Sequence, residues 1–251
     1  MRIILAFTLA VFTAVPSVCG QQIDASQQNE SGLLASLKSP DGGERLKAFY
    51  QLRSSPSAIR NEKIRAALLD LLDREVQDEV TNRKEGEGES EGGDEYIGDL
   101  TNTVASFADW TDAREVCLLV AEGALPTDTY AEHARLAIPC ILKRARSSFS
   151  WNRGPAVALL VEVLANKKTD AKLSTIETCK QVIRTALRDP VDSVSIDTVH
   201  ALAVFGGKDM IPALRQVTQS DSYTDKENHS FWIREYANQA IQSIQSRTNH
   251  Y

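Results

Sequence analysis

Between residues 31 and 246 apolar side chains recur every three to four positions, and short turn sequences break the run at intervals of roughly 35 residues. Leu33, Leu34 and Leu37 are stopped by Ser39-Pro40-Asp41-Gly42-Gly43, and Leu46, Phe49, Tyr50 and Leu52 form the next face. Ile64, Leu68, Leu71, Leu72 and Val76 precede a partner stripe of Tyr96, Ile97, Leu100, Val104 and Phe107. Val116, Leu119 and Val120 face Ala134, Ala137, Ile138 and Ile141 across a break at residues 125–128, and Pro139 is expected to bend the second of these helices. Helices so short and amphipathic bury their apolar faces only against neighbours.

Composition closes off the alternatives. With Gly at 13 and Pro at 8 of 251 residues and 6% aromatics, the chain lacks the turn residues and strand formers of a sandwich or barrel. At 42% hydrophobic and 25% charged residues it is neither fibrous nor disordered throughout.

The C-terminal half displays the repeat most openly. Val182 to Leu187 lead to Asp189-Pro190, then to Val194, Val199, Leu202 and Val204, then to Gly206-Gly207-Lys208-Asp209, and on to Ile211 and Leu214. Gly206 and Gly207 suit a left-handed helix stop, and Asp209 suits the cap of the following helix. A last pair sets Ile211, Leu214 and Val217 against Ile233, Tyr236, Ala237, Ala240 and Ile244.

Three stretches resemble the short bacterial form of the HEAT repeat: an apolar helix, an Asp-Pro-Asp-like turn, and a Val-Arg-x-x-Ala-x-x-x-Leu-like helix. They are Leu37-Lys38-Ser39-Pro40-Asp41 with Glu44-Arg45, Ala48 and Leu52; Leu187-Arg188-Asp189-Pro190 with Val194 and Ala201-Leu202; and Val217 with Ile233-Arg234, Ala237 and Ile241. Ser195 replaces the usual Arg in the second, and residues 220–230 stretch the turn of the third. The resemblance implies an all-α, right-handed superhelical solenoid of about five to six helix pairs over residues 31–246, each pair completed by its neighbours.

Residues 1–20 read as a secretion signal: Arg2, an apolar run from Ile3 to Val15, Pro16, and small residues before Gly20. The run reaches about 20 Å as a helix, short of a bilayer core of roughly 30 Å. Cleavage near Gly20 leaves an exported chain, periplasmic or secreted, that is one charge more acidic than the full chain's −6. Lipid attachment at Cys19 is disfavoured by Val18 before it. Residues 21–30 read as a polar tether and 247–251 as a tail. No membrane span is expected, and an acidic exported chain is a poor match for nucleic acid.

Cys117, Cys140 and Cys179 have spacings that fit no zinc pattern and read as small buried hydrophobes, with one disulfide of unassigned pairing left open. The acidic, Gly-rich run 84–95 carries Glu87, Glu89, Glu91 and Asp94 as weak divalent-cation candidates, calcium foremost. It lacks the ligand order of an EF-hand and reads as a solvated insertion. His133, His200, His229 and His250 are scattered, and His200 reads as a partly buried side chain. Some HEAT-repeat enzymes bind a di-iron centre through His-Glu dipeptides, whereas this chain has only Glu132-His133. With no nucleophile elbow or phosphate loop either, no cofactor and no catalysis are expected.

Binding is the function expected instead. Trp110, Trp151 and Trp232, with Arg234, are candidate anchors for a protein or peptide partner, and equally candidates for plugging the ends of helix pairs. The acidic net charge points to a basic partner.

Overall fold

The computed structural model describes residues 22–55, 57–82, 93–122, 125–219 and 230–249. Among them every regular element is helical. They fall into two compact units that meet between Ser54 and Ser55, where the sequence reads as one continuous array of pairs.

The first unit is a helical hairpin of α1 (Gln22–Leu37) and α2 (Gly42–Arg53). The stretch read as a tether is thus helical from Gln22. Its Gln, Ala, Ser and Glu residues favour or tolerate helix without any apolar periodicity to announce it. The turn at Ser39-Pro40-Asp41 is tightly fastened. Asp41 caps α2 by accepting the Glu44 N–H at 3.0 Å, and Ser39 Oγ donates to the Glu44 carboxylate at 2.6 Å. Buried Arg45 donates to the carbonyls of Ser39 and Pro40 at 3.1 and 2.9 Å, satisfying groups that a buried turn would otherwise strand.

The second unit contains α3 (Glu62–Asn82), α4 (Gly93–Ala105), α5 (Ala113–Glu122), α6 (Thr127–Glu132), α7 (Ala134–Arg144), α8 (Ser150–Ala165), α9 (Leu173–Ala186), α10 (Asp192–Phe205), α11 (Ile211–Gln219) and α12 (Ser230–Asn249). The principal contacts run in chain order. α3 packs on α4 and α5, α5 on α7, α7 on α8, α8 on α10, and α10 on α12. α9 packs on α8 and α10, and α11 on α12. One apolar core extends from Val116 to Ile244 through Ile138, Leu160, Val199 and Ile233. These are positions whose three-to-four spacing marked the helix faces in the sequence.

Several local expectations change. Gly206 ends α10 with φ −65° and ψ 147°, an extended and not a left-handed stop. Glycine is required there because a Cβ would lie 2.5 Å from the Leu202 carbonyl. Asp209 is engaged by Lys180 at 2.8 Å. Gly154, the fifth residue of α8, lies directly beneath the Asp197 carboxylate of α10, so a Cβ there would collide with it. Residues 247–249 belong to α12 and are not a tail. Arg247 donates to the carbonyls of Ala203 and Gly206 at the end of α10, satisfying acceptors that the helix itself cannot.

The turn between α9 and α10 is clasped from α8. Arg153 makes a two-pronged pair with Asp189, each contact 2.8 Å, with side chains only 15% and 11% exposed. Burial works to raise the Asp189 carboxyl, but the Arg153 guanidinium and the Val191 N–H outweigh it and hold the group below the usual carboxylate range. Its contribution to stability is therefore complete above the unfolded-state value near pH 4 and fades as pH falls through the lower folded value. Asp189→Asn should lower unfolding free energy by about 3 kcal/mol at neutral pH. The gap to the parent should narrow below pH 4, as read by denaturant titration at a series of pH values.

Candidate functional site

A concavity of about 530 Å³ opens between α3, α5, α7 and the start of α8. Each of the first three helices supplies it with one face. α5 contributes Arg114, Cys117, Leu118 and Ala121, and α7 with its exit turn contributes Cys140, Lys143, Arg144 and Ser147, both at spacings of three, one and three. α3 adds Asp73, Val76 and Gln77. The lining combines the apolar side chains of Val76, Leu118 and Ala121 with the donors of Arg114, Lys143, Arg144 and Asn152.

A disulfide crosses this wall. Cys117 of α5 and Cys140 of α7 are bonded with their Cα atoms 5.2 Å apart, while Cys179 of α9 stays a free, buried thiol. Two of the three cysteines read as small hydrophobes are therefore a cross-link, and the odd thiol is Cys179. Burial pushes that thiol up to about 11, so it remains protonated and unreactive at neutral pH.

Arg144 sets the cavity's rear geometry. Its Nη1 donates to the Val120 carbonyl and its Nε to Asn152 Oδ1, both at 2.9 Å, tying the last turn of α5 to the first turn of α8. Arg114 reaches Asp73 at 3.0 Å and Asp70 at 3.5 Å across largely exposed surface, where solvent screens the attraction. Lys143 is exposed at the mouth. With Asp73 engaged by Arg114 and no histidine lining the wall, the arrangement offers apolar surface and hydrogen-bond donors rather than a proton-transfer pair.

The sequence candidates separate onto different elements. Trp151 lines this cavity, half-buried, with its ring stacked 5.6 Å from Phe149. Trp110 precedes α5, stacks on His133 at 4.7 Å and packs, partly buried, against the core. Trp232 is 46% exposed on α12, and Arg234, two residues on, is half-buried; neither lines the cavity. Glu87, Glu89 and Glu91 lie outside the described residues, as does the Asp94 side chain. No group of three or more His, Cys, Asp or Glu side chains placed to hold a metal occurs among the described residues. His200, read as partly buried, is exposed on α10, edge-on to Tyr236 at 4.7 Å. Missing from the sequence reading were Arg114, Lys143, Arg144 and Asn152. The available signal was the mixed polar and cysteine face of α5 and α7, which a search for wholly apolar stripes passes over.

No protein-family model matches the chain, and no curated protein sequence matches it.

The disulfide closes a segment of 23 residues, for which loop-entropy reasoning gives about 3.5 kcal/mol. The double variant Cys117→Ala/Cys140→Ala should lose stability of that order in urea titration. Dithiothreitol should destabilise the parent similarly and leave the double variant unchanged.

Proposed function

We propose that the chain is an exported, non-catalytic interaction scaffold, a right-handed solenoid of HEAT-like helix pairs that holds a protein or peptide partner in the cavity between α3, α5, α7 and α8. The observation that carries the reading is the order of contacts. Successive helices from α5 to α12 pack chiefly on elements near them in sequence, along one unbroken core from Val116 to Ile244. A serial array produces that pattern, because each pair completes the apolar surface of the next. The clasps fit the same scheme: Arg45 on its own turn and Arg153 on the turn of the following pair hold inter-helix corners at repeated places.

Export is supported by the Cys117–Cys140 bond, a kind of linkage that persists in oxidising compartments. No helix among the described residues is long and apolar enough to cross a membrane. The cavity suits a peptide: Leu118 and Ala121 offer apolar contact, Trp151 an aromatic edge, and Lys143, Ser147 and Ser148 polar groups at the mouth. Its cationic mouth favours carboxylates over the basic partner suggested by net charge, since short-range pairing is set by the groups that line a site.

Two measurements test the reading. Removing residues 206–251, and with them α11 and α12, should leave the remaining helices folded with per-residue ellipticity nearly unchanged. Collapse of all helical signal is the result expected of a closed bundle instead. A photoreactive phenylalanine analogue at Lys143, in the full chain expressed in its own cell, should give a discrete protein adduct that Trp151→Ala abolishes. Absence of any adduct from Lys143 and Ser148 overturns the assignment of this cavity.

A further inference from the structure

α9 is flanked by two open grooves because it packs on α8 and α10 rather than chiefly on α7 or α11. The groove toward α7, about 660 Å³, is lined by Lys143, Arg146, Thr175 and Thr178 together with Pro139 and Leu142. The groove toward α11, about 380 Å³, is lined by Arg184, Arg188, Thr185 and Gln181 against Ala213 and Gln216. Thr175, Thr178, Gln181 and Thr185 follow one another along α9 at steps of three and four, and Arg188 lies in the turn just past its end, so both grooves border the same flank of that helix.

The charge on this strip has one sign. Four cations line the two grooves and no carboxylate does. The nearby acids are committed elsewhere: Glu177 and Asp209 to Lys180, and Asp170 to Arg135. Lys143, Arg146 and Arg184 make no ion pair among the described residues, and Arg188 is engaged by the neutral amide oxygen of Gln216. In a chain of net charge −6, two grooves beside one helix that are lined by cations and by no carboxylate are a local inversion of the overall balance.

We propose that the α7–α9–α11 face docks an extended acidic segment of a partner protein, its carboxylates pairing with Lys143, Arg146, Arg184 and Arg188. From Thr175 to Arg188 the strip is about 20 Å long, the length of roughly six extended residues. The guanidinium forks of three arginines match carboxylates in geometry as well as charge. Thr178 and Thr185 donate their hydroxyl protons to the Ser174 and Gln181 carbonyls, which leaves their oxygens as acceptors for the N–H groups of a peptide backbone. A nucleic-acid strand is the poorer fit, since no aromatic ring lines either groove to stack on a base and the chain's net charge opposes a polyanion. The inference does not depend on the solenoid reading: the strip persists if the helices form a closed bundle, and the truncation result leaves it standing.

The test is fluorescence anisotropy with the full chain and three labelled probes: an eight-residue Glu/Asp/Ser peptide, its Lys/Ser counterpart, and an eight-nucleotide single strand. The acidic peptide alone should bind, more weakly as salt rises. Arg146→Glu/Arg184→Glu should weaken it by roughly tenfold or more without shifting the melting temperature. Lys143→Gln/Arg184→Gln should weaken it less and serves if charge reversal perturbs folding, while Arg135→Gln, on the pair with Asp170, should change nothing. Equal binding by parent and both double variants overturns the proposal, as does preference for the nucleotide strand. Binding seen only after deletion of residues 84–92 also overturns it, because the chain's own acidic run would then be the competitor for this face.

Discussion

Several helices of this protein are too short to stand alone. α5, α6 and α11 have 10, 6 and 9 residues, below the length at which an isolated helix is even marginal in water. Their persistence rests on sharing apolar surface with a neighbour: Val116 and Val120 on α5 and Leu214 and Val217 on α11 are at most 1% exposed. That shared burial fixes where every turn must lie, and the turns are where the polar chemistry collects. Arg45, Arg144, Arg153 and Arg247 each carry a cation to backbone carbonyls near a helix end, at places where the last turn has no donors of its own.

The sequence made the helical faces plain because their spacing is a direct image of burial. Ile64, Leu68, Leu71 and Leu72, or Ile233, Ala237, Ala240 and Ile244, are read as stripes and are buried as stripes. What escaped it depends on contacts between residues far apart in the chain. Cys117 and Cys140 pair because α5 and α7 pack side by side, and 23 residues of separation carry no trace of that. Residues 22–30 form helix without an apolar stripe, so periodicity had nothing to report. The cavity was illegible for a related reason: its lining combines apolar, cationic and cysteine side chains drawn from several helices, each too few to register alone.

Charge gives the clearest contrast between the whole chain and its parts. A net charge of −6 acts at long range, where it biases approach, and decays within a Debye length of about 8 Å at physiological salt. At contact distance a partner meets individual side chains. Around α9 those are Lys143, Arg146, Arg184 and Arg188, while Glu177 and Asp209 are already occupied with Lys180. The docking proposed for this face rests on the second scale.

The odd thiol has a consequence for how the chain matures. The three cysteines among the described residues permit three pairings with one another, and only one of these leaves Cys179 as it stands, with none of its surface exposed. Oxidation that outruns helix packing would let Cys179 compete as a resolving nucleophile and trap a mispaired isomer. Packing that comes first withdraws it from the contest. The sequestered sulfur thus makes oxidative maturation a kinetic race, won by whichever of collapse or thiol exchange is faster.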